Sequence, residues 1–408
     1  MTAWAAGACL LCALLAASAR AVAPALSARA WIAWEPDLND VVASRDADVE
    51  LPMASTTKLM TALVTLEHEP RLSTRLPVVR YPTGQGQSTI GLQPGERLTV
   101  ADLLRAMLLP SADEAAQTLA VDVGGSVPAF VAMMNAQASA LGLAHTHYST
   151  PVGLDTAGNY STASDLVRLA NYLLLHYSFI DEVVAEPSAE LRSGAFPRRV
   201  QNLNDLVGRY SYVVGVKTGH TDGAGYVLVG EARAGRVRVL SAVMGDPSST
   251  ARDADTLTLL RSGLAAFGER TVLTAGQRLA STGERYRSGR VALVAARAVS
   301  VLLPRGERVT LKVEGVPSSV LGPARAGRRE GTVLVRLDGR TVAHTALVLA
   351  DSVAKATVGE RLRNYLGRAL TIVLLIGVIA CSLLLVDLRR RATRRSVAGR
   401  TLELDDRQ

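Results

Sequence analysis

The sequence predicts an α+β domain built on an antiparallel sheet, followed by a small β-rich domain and one C-terminal transmembrane helix. Apolar residues recur at helical spacing up to about residue 176, and β-branched runs separated by Gly-rich turns replace that pattern from Tyr212. A long apolar run, 369–386, lies near the end of the chain. With 408 residues, of which 48% are hydrophobic and 20% charged, the chain is long enough for two or three folded domains.

The chain begins with an apolar stretch typical of a secretory signal. It reads AAGACLLCALLAA from Ala5 to Ala17, and small residues up to Ala23 then suit a cleavage site. We predict a signal peptide over 1–23. The basic residues that usually precede such a stretch are missing, so an uncleaved N-terminal anchor is the alternative. Either interpretation places the following domain outside the cytoplasm.

Helical spacing dominates the first part of the α+β domain, which we predict over 24–270. In ASTTKLMTALVTLEH the apolar residues predict a helix that begins near Ser55. The next helix is stopped by Pro110, and the one after it ends at Gly124-Gly125. Further helices are predicted in VPAFVAMMNAQASALG, SDLVRLANYLLLHY and ARDADTLTLLRSGLAAFG.

Strand patterns complete this domain and make up the next one. YVVGVKTG, GYVLVGEA and VRVLSAVMG are apolar runs separated by Gly-rich turns, which predict consecutive antiparallel strands. Because helices and strands are mixed in this order, the helices are expected to gather against one sheet. Alternating strands with Gly turns then predict a β-rich domain over 271–352, and a linker follows over 353–368.

The apolar run 369–386 is long enough to cross a bilayer. Its 18 apolar or neutral residues correspond to roughly 27 Å of helix. An arginine cluster follows it, and the preference of basic residues for the inner face predicts a cytoplasmic tail over 387–408. We therefore predict a single-pass protein of the cell membrane whose α+β domain is extracytoplasmic.

Composition excludes several classes of site. The three cysteines, Cys9, Cys12 and Cys381, fall inside the apolar terminal runs, which excludes an internal disulfide framework and a cysteine metal site. The aromatic share is 4% and no basic-aromatic stripe is present, which argues against nucleic-acid binding. The histidines are not arranged in a metal-binding motif. No metal or cofactor is predicted.

Lysine is rare in this chain. Of 45 basic residues, 41 are arginine and four are lysine, namely Lys58, Lys217, Lys312 and Lys355. An arginine stays protonated at any working pH, whereas a buried lysine amine can lose its proton and act as a base. Each lysine therefore needs an explanation that a simple positive charge does not give.

Two of the lysines belong to short motifs that carry chemistry. Ser55 and Lys58 form S-x-x-K at a helix start, so that a hydroxyl and an amine share one helix face. Ser111 and Asp113 form S-x-D, and Lys217 begins K-T-G at the end of an apolar strand. Each motif alone also has a structural explanation, but their order is that of penicillin-binding proteins and class A β-lactamases.

The structural explanations can be stated residue by residue. Ser55 could simply cap its helix while Lys58 is a solvated surface residue. Ser111 followed by Glu114 fits a capping box. K-T-G could be an ordinary hairpin in which Lys217 is incidental. Only the combination of the three motifs favours catalysis.

The chain resembles the D-alanyl-D-alanine carboxypeptidases of the low-molecular-mass penicillin-binding proteins, serine peptidase family S11. The resemblance runs from about Ala30 to Gly268 and includes MASTTKLMTALV, GLQPGERLTVADLLRAMLLPSADEAA, MNAQASALGLAHTHYSTPVGLD, NYSTASDLVRLA and NLNDLVGRYSYVVGVKTGHTDGAGY. It implies the transpeptidase fold shared with β-lactamases. The β-rich segment looks like that family's C-terminal domain, although this match is looser.

The resemblance implies a role for each motif. Ser55 would attack the carbonyl between the two terminal D-alanines of a peptidoglycan stem pentapeptide, Lys58 would take its proton, and Ser111 would relay a proton to the leaving amine. The substrate-binding residues would be Asp113, Lys217, Thr218, Gly219 and His220, with the amides of Ser55 and His220 as oxyanion hole. β-Lactams would be covalent inhibitors.

One position departs from the family. Asp113 stands where the family usually has Asn. An Asn amide can donate to the substrate and accept from Lys58, whereas an ionised Asp only accepts, and its charge favours protonated Lys58. Three alternatives remain open at this point: a DD-endopeptidase or a β-lactamase on the same fold, and a non-catalytic scaffold that binds the cell wall.

Overall fold

The computed structural model describes residues 24–82, 87–367 and 369–400. The chain divides into two compact units, Met1–Gly268 and Glu269–Gln408. The predicted signal peptide, 1–23, lies outside the described residues.

The first unit alternates between short strands and helices before its long strands. In chain order its elements are β1 (Ala30–Glu35), β2 (Asp40–Arg45), a 3-10 helix (Ala54–Thr57), α1 (Lys58–His68), β3 (Arg75–Pro77), β4 (Arg97–Thr99), α2 (Val100–Leu108), α3 (Asp113–Gly124), α4 (Val127–Ala140), α5 (Ala163–His176), α6 (Ser178–Val184), β5 (Ser188–Leu191), β6 (Arg198–Gln201), β7 (Val213–Thr221), β8 (Gly225–Ala234), β9 (Val237–Asp246) and α7 (Ser249–Ala266).

An antiparallel five-stranded sheet organises this unit, in the order β2-β1-β9-β8-β7. The three strands predicted from Tyr212 onward are β7, β8 and β9, and they pair as consecutive hairpins. β1 comes from the start of the domain and pairs with β9. The two edge strands of the sheet are therefore β2 and β7. The predicted α+β class with an antiparallel sheet is confirmed.

Both faces of the sheet are covered, as the alternation of side chains along β8 shows. Val227 and Val229 belong to the large helical core. A side chain at Gly230, by contrast, would meet Thr256 and Leu260 of α7. Because successive strand residues point to opposite faces, the sheet lies between α7 and the other helices.

Side-chain caps fix where several helices begin. The hydroxyls of Thr99, Ser126, Thr162 and Ser248 each accept a backbone N–H bond from the first turn of α2, α4, α5 and α7 respectively. Such caps satisfy N–H groups that have no partner within the helix. The boundaries of these four helices are therefore local properties of the sequence.

The chain from Phe267 onward is rich in strands, as predicted for the C-terminal domain. Its elements are β10 (Phe267–Leu273), β11 (Arg278–Glu284), β12 (Arg290–Ala295), β13 (Val299–Pro304), β14 (Thr310–Glu314), β15 (Ser319–Val320), β16 (Arg329–Leu337), β17 (Arg340–Leu349), α8 (Val358–Leu366) and α9 (Ala369–Arg400). Six of the strands form one sheet in the order β14-β16-β17-β12-β11-β15. The segment 353–368, predicted as a linker, contains α8.

Helix α9 includes the predicted transmembrane run. Within it Thr371–Thr393 is long and apolar enough to cross a membrane. Its apolar side chains are exposed, with Val373 at 66% and Leu383 at 66% of their full accessibility. Exposed leucines and valines of this kind suit contact with lipid tails.

One buried carboxyl group in the first unit predicts a pH-dependent stability. Asp246, at the end of β9, is 1% exposed, and no donor among the described residues reaches either of its carboxylate oxygens. Burial, and then the nearby Asp255 carboxyl, raises the pKa of Asp246 to about 7, while Arg252 opposes the shift. Asp255 itself accepts N–H bonds from Ser27 and Ala28 at 2.6 and 3.0 Å.

The sign of this effect follows from proton linkage. Between the ordinary carboxyl pKa of about 4 and the folded value of about 7 the folded state binds more protons, so stability falls as pH rises through this range. We expect Asp246→Asn to flatten this decline. Urea unfolding of the wild type and the variant at several pH values measures the free energy of unfolding. If it falls equally steeply with pH in the two proteins, the raised pKa does not belong to Asp246.

Candidate active site

Ser55 lies in a tight turn that two glycines make possible. The 3-10 helix Ala54–Thr57 leads directly into α1, and Ala54 has a positive φ of 48°. A Cβ on Gly153 would lie 2.0 Å from the Ala54 carbonyl oxygen, and one on Gly219 would lie 3.0 Å from the Ser55 nitrogen. Only residues without a Cβ let these two segments approach the turn so closely.

Lys58 is completely buried and makes three contacts through its amine. Its Nζ lies 2.9 Å from Ser55 Oγ, 2.7 Å from Asp113 Oδ1 and 2.8 Å from the carbonyl oxygen of Val152. Because its exposure is 0%, the interpretation of Lys58 as a solvated surface residue is wrong. The S-x-x-K spacing thus places the hydroxyl and the amine in hydrogen-bond contact.

Two opposing effects act on the Lys58 amine. Burial lowers its pKa, while the charges of Asp113 and, more weakly, Glu114 raise it. A neutral amine donating to Asp113 and Val152 keeps its lone pair free for the Ser55 hydroxyl. The geometry therefore suits a general base.

Ser111 does not form the capping box that is the structural alternative to a catalytic role. Helix α3 begins at Asp113, its N-cap is Ala112, and no side chain caps it. Glu114 turns away instead, and its Oε1 accepts N–H bonds from Ile90 at 2.7 Å and Leu92 at 3.4 Å. Tertiary contacts have overridden a local helix-start signal.

The Ser111 hydroxyl therefore does not cap the helix. Ser111 is 2% exposed and has a positive φ of 65°, uncommon for a residue with a side chain. Its Oγ has no hydrogen-bond partner among the described residues. Strain and an orphaned buried hydroxyl together are typical of a functional position.

Asp113 uses both carboxylate oxygens within the protein. Oδ1 accepts from Lys58, and Oδ2 accepts the backbone N–H of Ser88 at 3.1 Å. The side chain is 4% exposed. The predicted substrate-binding role of Asp113 stays a prediction.

Lys217 lies on β7, the edge strand beside the Ser55 turn. It is 1% exposed, and its Nζ donates to the Thr218 carbonyl at 3.1 Å. Burial, and then the positive charge of Lys58, lowers the pKa of Lys217 well below its usual range. Thr218 is also buried, whereas the ring of His220 is exposed and stacks on Tyr226 with ring centres 4.0 Å apart.

The sequence assigned no role to the loop that closes the site on a third side. Val152 supplies the carbonyl that Lys58 contacts, and Gly153 packs on the Ser55 turn. Asp155 accepts bonds from the Thr221 hydroxyl at 2.6 Å and the Gly223 N–H at 2.8 Å, which attaches this loop to the β7–β8 turn. The segment STPVGLD belongs to the stretches that carry the family resemblance, but it contains no catalytic motif that would assign it a role.

The histidines do not form a metal site. His145 contacts Glu50, at 3.3 Å, and the rings of His147 and Tyr160 are stacked. Within the described residues no group of three or more His, Cys, Asp or Glu side chains could hold a metal ion. The chemistry supported by the site is that of a hydroxyl, an amine and a second cation.

Known proteins resemble this chain in sequence and in fold. The family model described as D-alanyl-D-alanine carboxypeptidase matches residues 17–248. The chain belongs to this family. The predicted identification as a serine-type D-Ala-D-Ala carboxypeptidase, a hydrolase among the penicillin-binding proteins of the cell wall, is confirmed.

Two curated carboxypeptidases illustrate the extent of the similarity. The chain is 31% identical to D-alanyl-D-alanine carboxypeptidase DacA of Escherichia coli over 357 residues, which are 84% of this chain and 88% of that protein. It is 38% identical over 219 residues to DacB2 of Mycobacterium tuberculosis, covering 53% of this chain and 74% of that protein. The first match extends into the β-rich region.

Two solved structures share the fold. Penicillin binding protein 5 from Haemophilus influenzae has a TM-score of 0.60 at 26% identity and covers 82% of this carboxypeptidase chain and all (100%) of its own. The Streptomyces K15 DD-transpeptidase has a TM-score of 0.57 at 28% identity, over 60% of this chain and 100% of its own.

Proposed function

We propose that this carboxypeptidase removes the terminal D-alanine from peptidoglycan stem pentapeptides through an acyl-serine intermediate on Ser55. The observation that carries the proposal is the buried Lys58 amine, which contacts the Ser55 hydroxyl at 2.9 Å. A serine hydroxyl is a weak nucleophile, and a base within hydrogen-bond reach is what activates it.

The first step is acylation. Ser55 Oγ attacks the carbonyl carbon between the last two D-alanines, and its proton passes to the neutral Lys58 amine. The C–N bond then breaks, and the leaving amine takes a proton that Ser111 passes on from Lys58. D-alanine departs, and the rest of the peptide remains as an ester on Ser55.

The terminal carboxylate of the substrate fits the K-T-G strand. Lys217 and Thr218 lie on the edge strand beside the nucleophile and offer an amine and a hydroxyl. Lys217 has no carboxylate bonded to its amine, whose contact in the described structure is a carbonyl oxygen. An incoming carboxylate favours the charged ammonium form, so that substrate binding reverses the lowering of the Lys217 pKa.

Backbone amides support an oxyanion hole between the same two segments. A Cβ at Gly219 would lie 3.0 Å from the Ser55 nitrogen, so the start of the 3-10 helix and the strand leading to His220 run close together. The N–H groups of Ser55 and His220 can then stabilise the tetrahedral oxyanion. One such donor is worth about 3 kcal/mol to the transition state.

In deacylation water is the nucleophile, and Lys58 again accepts and returns a proton. Water attacks the ester carbonyl and gives a proton to Lys58, and Ser55 Oγ takes a proton back as the C–O bond breaks. The shortened peptide leaves with a free carboxylate, and no metal or cofactor takes part.

The proposed location of this chemistry is the cell wall, beside the membrane that holds the anchor. We propose that the apolar run 369–386, most of which falls in the membrane-length segment Thr371–Thr393, spans the membrane. The arginines after Asp387 then lie on the cytoplasmic side, because basic residues favour that side. The first unit then lies outside the cytoplasm, where peptidoglycan is found.

Release of D-alanine tests the proposal. The full-length protein in detergent is incubated with a soluble stem pentapeptide, and in parallel with a cross-linked peptide dimer, using Ser55→Ala as control. We expect D-alanine from the pentapeptide with the wild type only. Cleavage of the dimer alone would instead identify an endopeptidase. Rapid turnover of penicillin without cleavage of either peptide would identify a β-lactamase. No cleavage of any substrate would indicate a non-catalytic scaffold.

A further inference from the structure

Asp113 joins the general base to a segment of the chain that the mechanism does not otherwise involve. Its Oδ1 lies 2.7 Å from Lys58 Nζ, and its Oδ2 lies 3.1 Å from the Ser88 nitrogen. The Asp113 N–H in turn donates to the Ser88 carbonyl at 2.8 Å. A single buried carboxylate therefore contacts Lys58 on one side and the backbone before Ile90 on the other.

Both contacts require an acceptor, which a carboxylate provides twice and an amide once. If asparagine occupied position 113 in this structure, its oxygen could face Lys58 only if its NH2 group faced the Ser88 N–H. Two donors would then oppose each other. The backbone around Ser88 is thus matched to aspartate, the residue by which this chain departs from its family.

The carboxylate also lies among several charged or titratable groups. Glu114 is its neighbour on α3, Lys58 and Lys217 face it from α1 and β7, and Tyr81 lies near both acids. Arg252 of α7 adds positive charge near Lys217. The Asp113 charge raises the pKa of both lysines, while burial lowers it.

We propose that Asp113 is a positioning residue that holds Lys58 beside Ser55 and sets the pH range in which Lys58 can act as a base. The inference rests on the proposed function, because it assigns to Lys58 the removal of the Ser55 proton. A negative charge in direct contact favours the ammonium form, so the enzyme needs a higher pH to make its base available than an enzyme with an amide at this position.

The pH profile of Ser55 acylation tests this inference. The rate constant for labelling by a fluorescent penicillin is measured from acidic to alkaline pH for full-length wild type and Asp113→Asn. We expect the rising limb of the profile to move to lower pH by about one to three units in the variant, because the limb reports the pKa of the base in the free enzyme. A limb that stays in place or moves to higher pH would overturn the inference.

Glu114→Gln is the matched control. Glu114 carries the same charge as Asp113, lies in the same helical turn and is likewise only 3% exposed. Its carboxylate contacts the backbone of Ile90 and Leu92 rather than Lys58. Its variant should shift the limb less than Asp113→Asn does. An equal shift in the two variants would show that general negative charge, and not the contact with Lys58, sets the limb.

A double-mutant cycle keeps the inference testable if a single variant folds poorly. Breaking one partner of a buried ion pair leaves a buried charge unpaired, whereas removing both partners does not. Thermal unfolding of Lys58→Met, Asp113→Asn and the double variant should therefore show strong coupling, with the double variant more stable than additivity predicts. If the effects of the two substitutions on thermal unfolding simply add, a direct interaction between Lys58 and Asp113 is contradicted.

The readouts separate this inference from the proposed function. A wild type that is labelled on Ser55, together with an unmoved limb in Asp113→Asn, refutes the role of Asp113 and leaves the carboxypeptidase mechanism standing. A wild type that is not labelled on Ser55 refutes the mechanism and, with it, the role of Asp113 in setting the pH range.

Discussion

Replacing Lys58 by arginine is expected to slow acylation of Ser55 by about 10³-fold or more. The formal net charge of +8 stays the same, because one basic residue replaces another. The guanidinium, however, keeps its proton at any working pH and cannot accept the one from Ser55. It must also fit a site in which the lysine is completely buried. Labelling by fluorescent penicillin under single-turnover conditions measures the loss.

Lys312→Arg is the control for this substitution. Lys312 lies on the edge strand β14, its side chain is 54% exposed, and it pairs with Glu314 at 2.7 Å. The same chemical change there should leave the labelling rate at the wild-type value. Lys58→Met is the second variant in case arginine prevents folding, since methionine is of similar length and uncharged. Labelling retained in a folded Lys58→Arg or Lys58→Met protein would contradict the assignment of the base.

Replacing Gly153 by alanine is expected to reduce both the stability of the fold and the rate of acylation. The new Cβ would lie 2.0 Å from the Ala54 carbonyl oxygen and 2.6 Å from its carbon, distances that force the backbone before Ser55 to move. The φ of +93° adds backbone strain for any L side chain, which costs about 1–3 kcal/mol. We expect a fall in stability of about 2 kcal/mol or more, and acylation slowed by about 10²-fold because the nucleophile is misplaced.

Gly142→Ala separates backbone strain from the steric effect. Gly142 has a φ of +68°, and a Cβ there would meet no atom within 4 Å. This variant should lose some stability and acylate at the wild-type rate. Thermal unfolding and penicillin labelling of both variants make the comparison. A Gly153→Ala protein that acylates as fast as wild type would show that the loop at Gly153 does not control the Ser55 turn.

The sequence predicted the reacting groups better than it predicted their surroundings. The spacing of Ser55 and Lys58 implied contact between hydroxyl and amine, and the two atoms are 2.9 Å apart. Helical periodicity places residues three apart on one face, so this contact needs only the local helix. The contact from Lys58 to Val152 spans 94 residues, and no local pattern encodes a pairing over that separation.

The capping box at Ser111 shows how tertiary structure overrides a local signal. The sequence offered Glu114 as the partner of the helix start, but the structure uses its carboxylate to hold the backbone at Ile90 and Leu92. Through Oε1 the buried Glu114 thus binds two backbone N–H groups that lie more than 20 residues earlier in the chain. A capping box does form at the exposed helix α8, where Glu360 bonds to Thr357 through Oε2 and pairs with Arg287 through Oε1 at 2.9 Å.

Short elements escaped prediction for a different reason. Strands β5 and β6 have four residues each, and α6 has seven. Segments of that length contain too few repeats for a period of 2 or 3.6 to stand out. The long strands β7, β8 and β9, with nine or ten residues each, were predictable because their apolar runs and Gly turns are unambiguous.

The central claim is that Ser55 carries the acyl group, and mass spectrometry of the trapped intermediate tests it most directly. Full-length protein is incubated with penicillin, quenched in acid, digested and searched for a peptide whose mass has increased by that of the antibiotic. We predict the increase on the peptide that contains Ser55, located on Ser55 by fragmentation and absent from Ser55→Ala. An adduct on Ser111 or another residue, or D-alanine release that persists in Ser55→Ala, would contradict the mechanism.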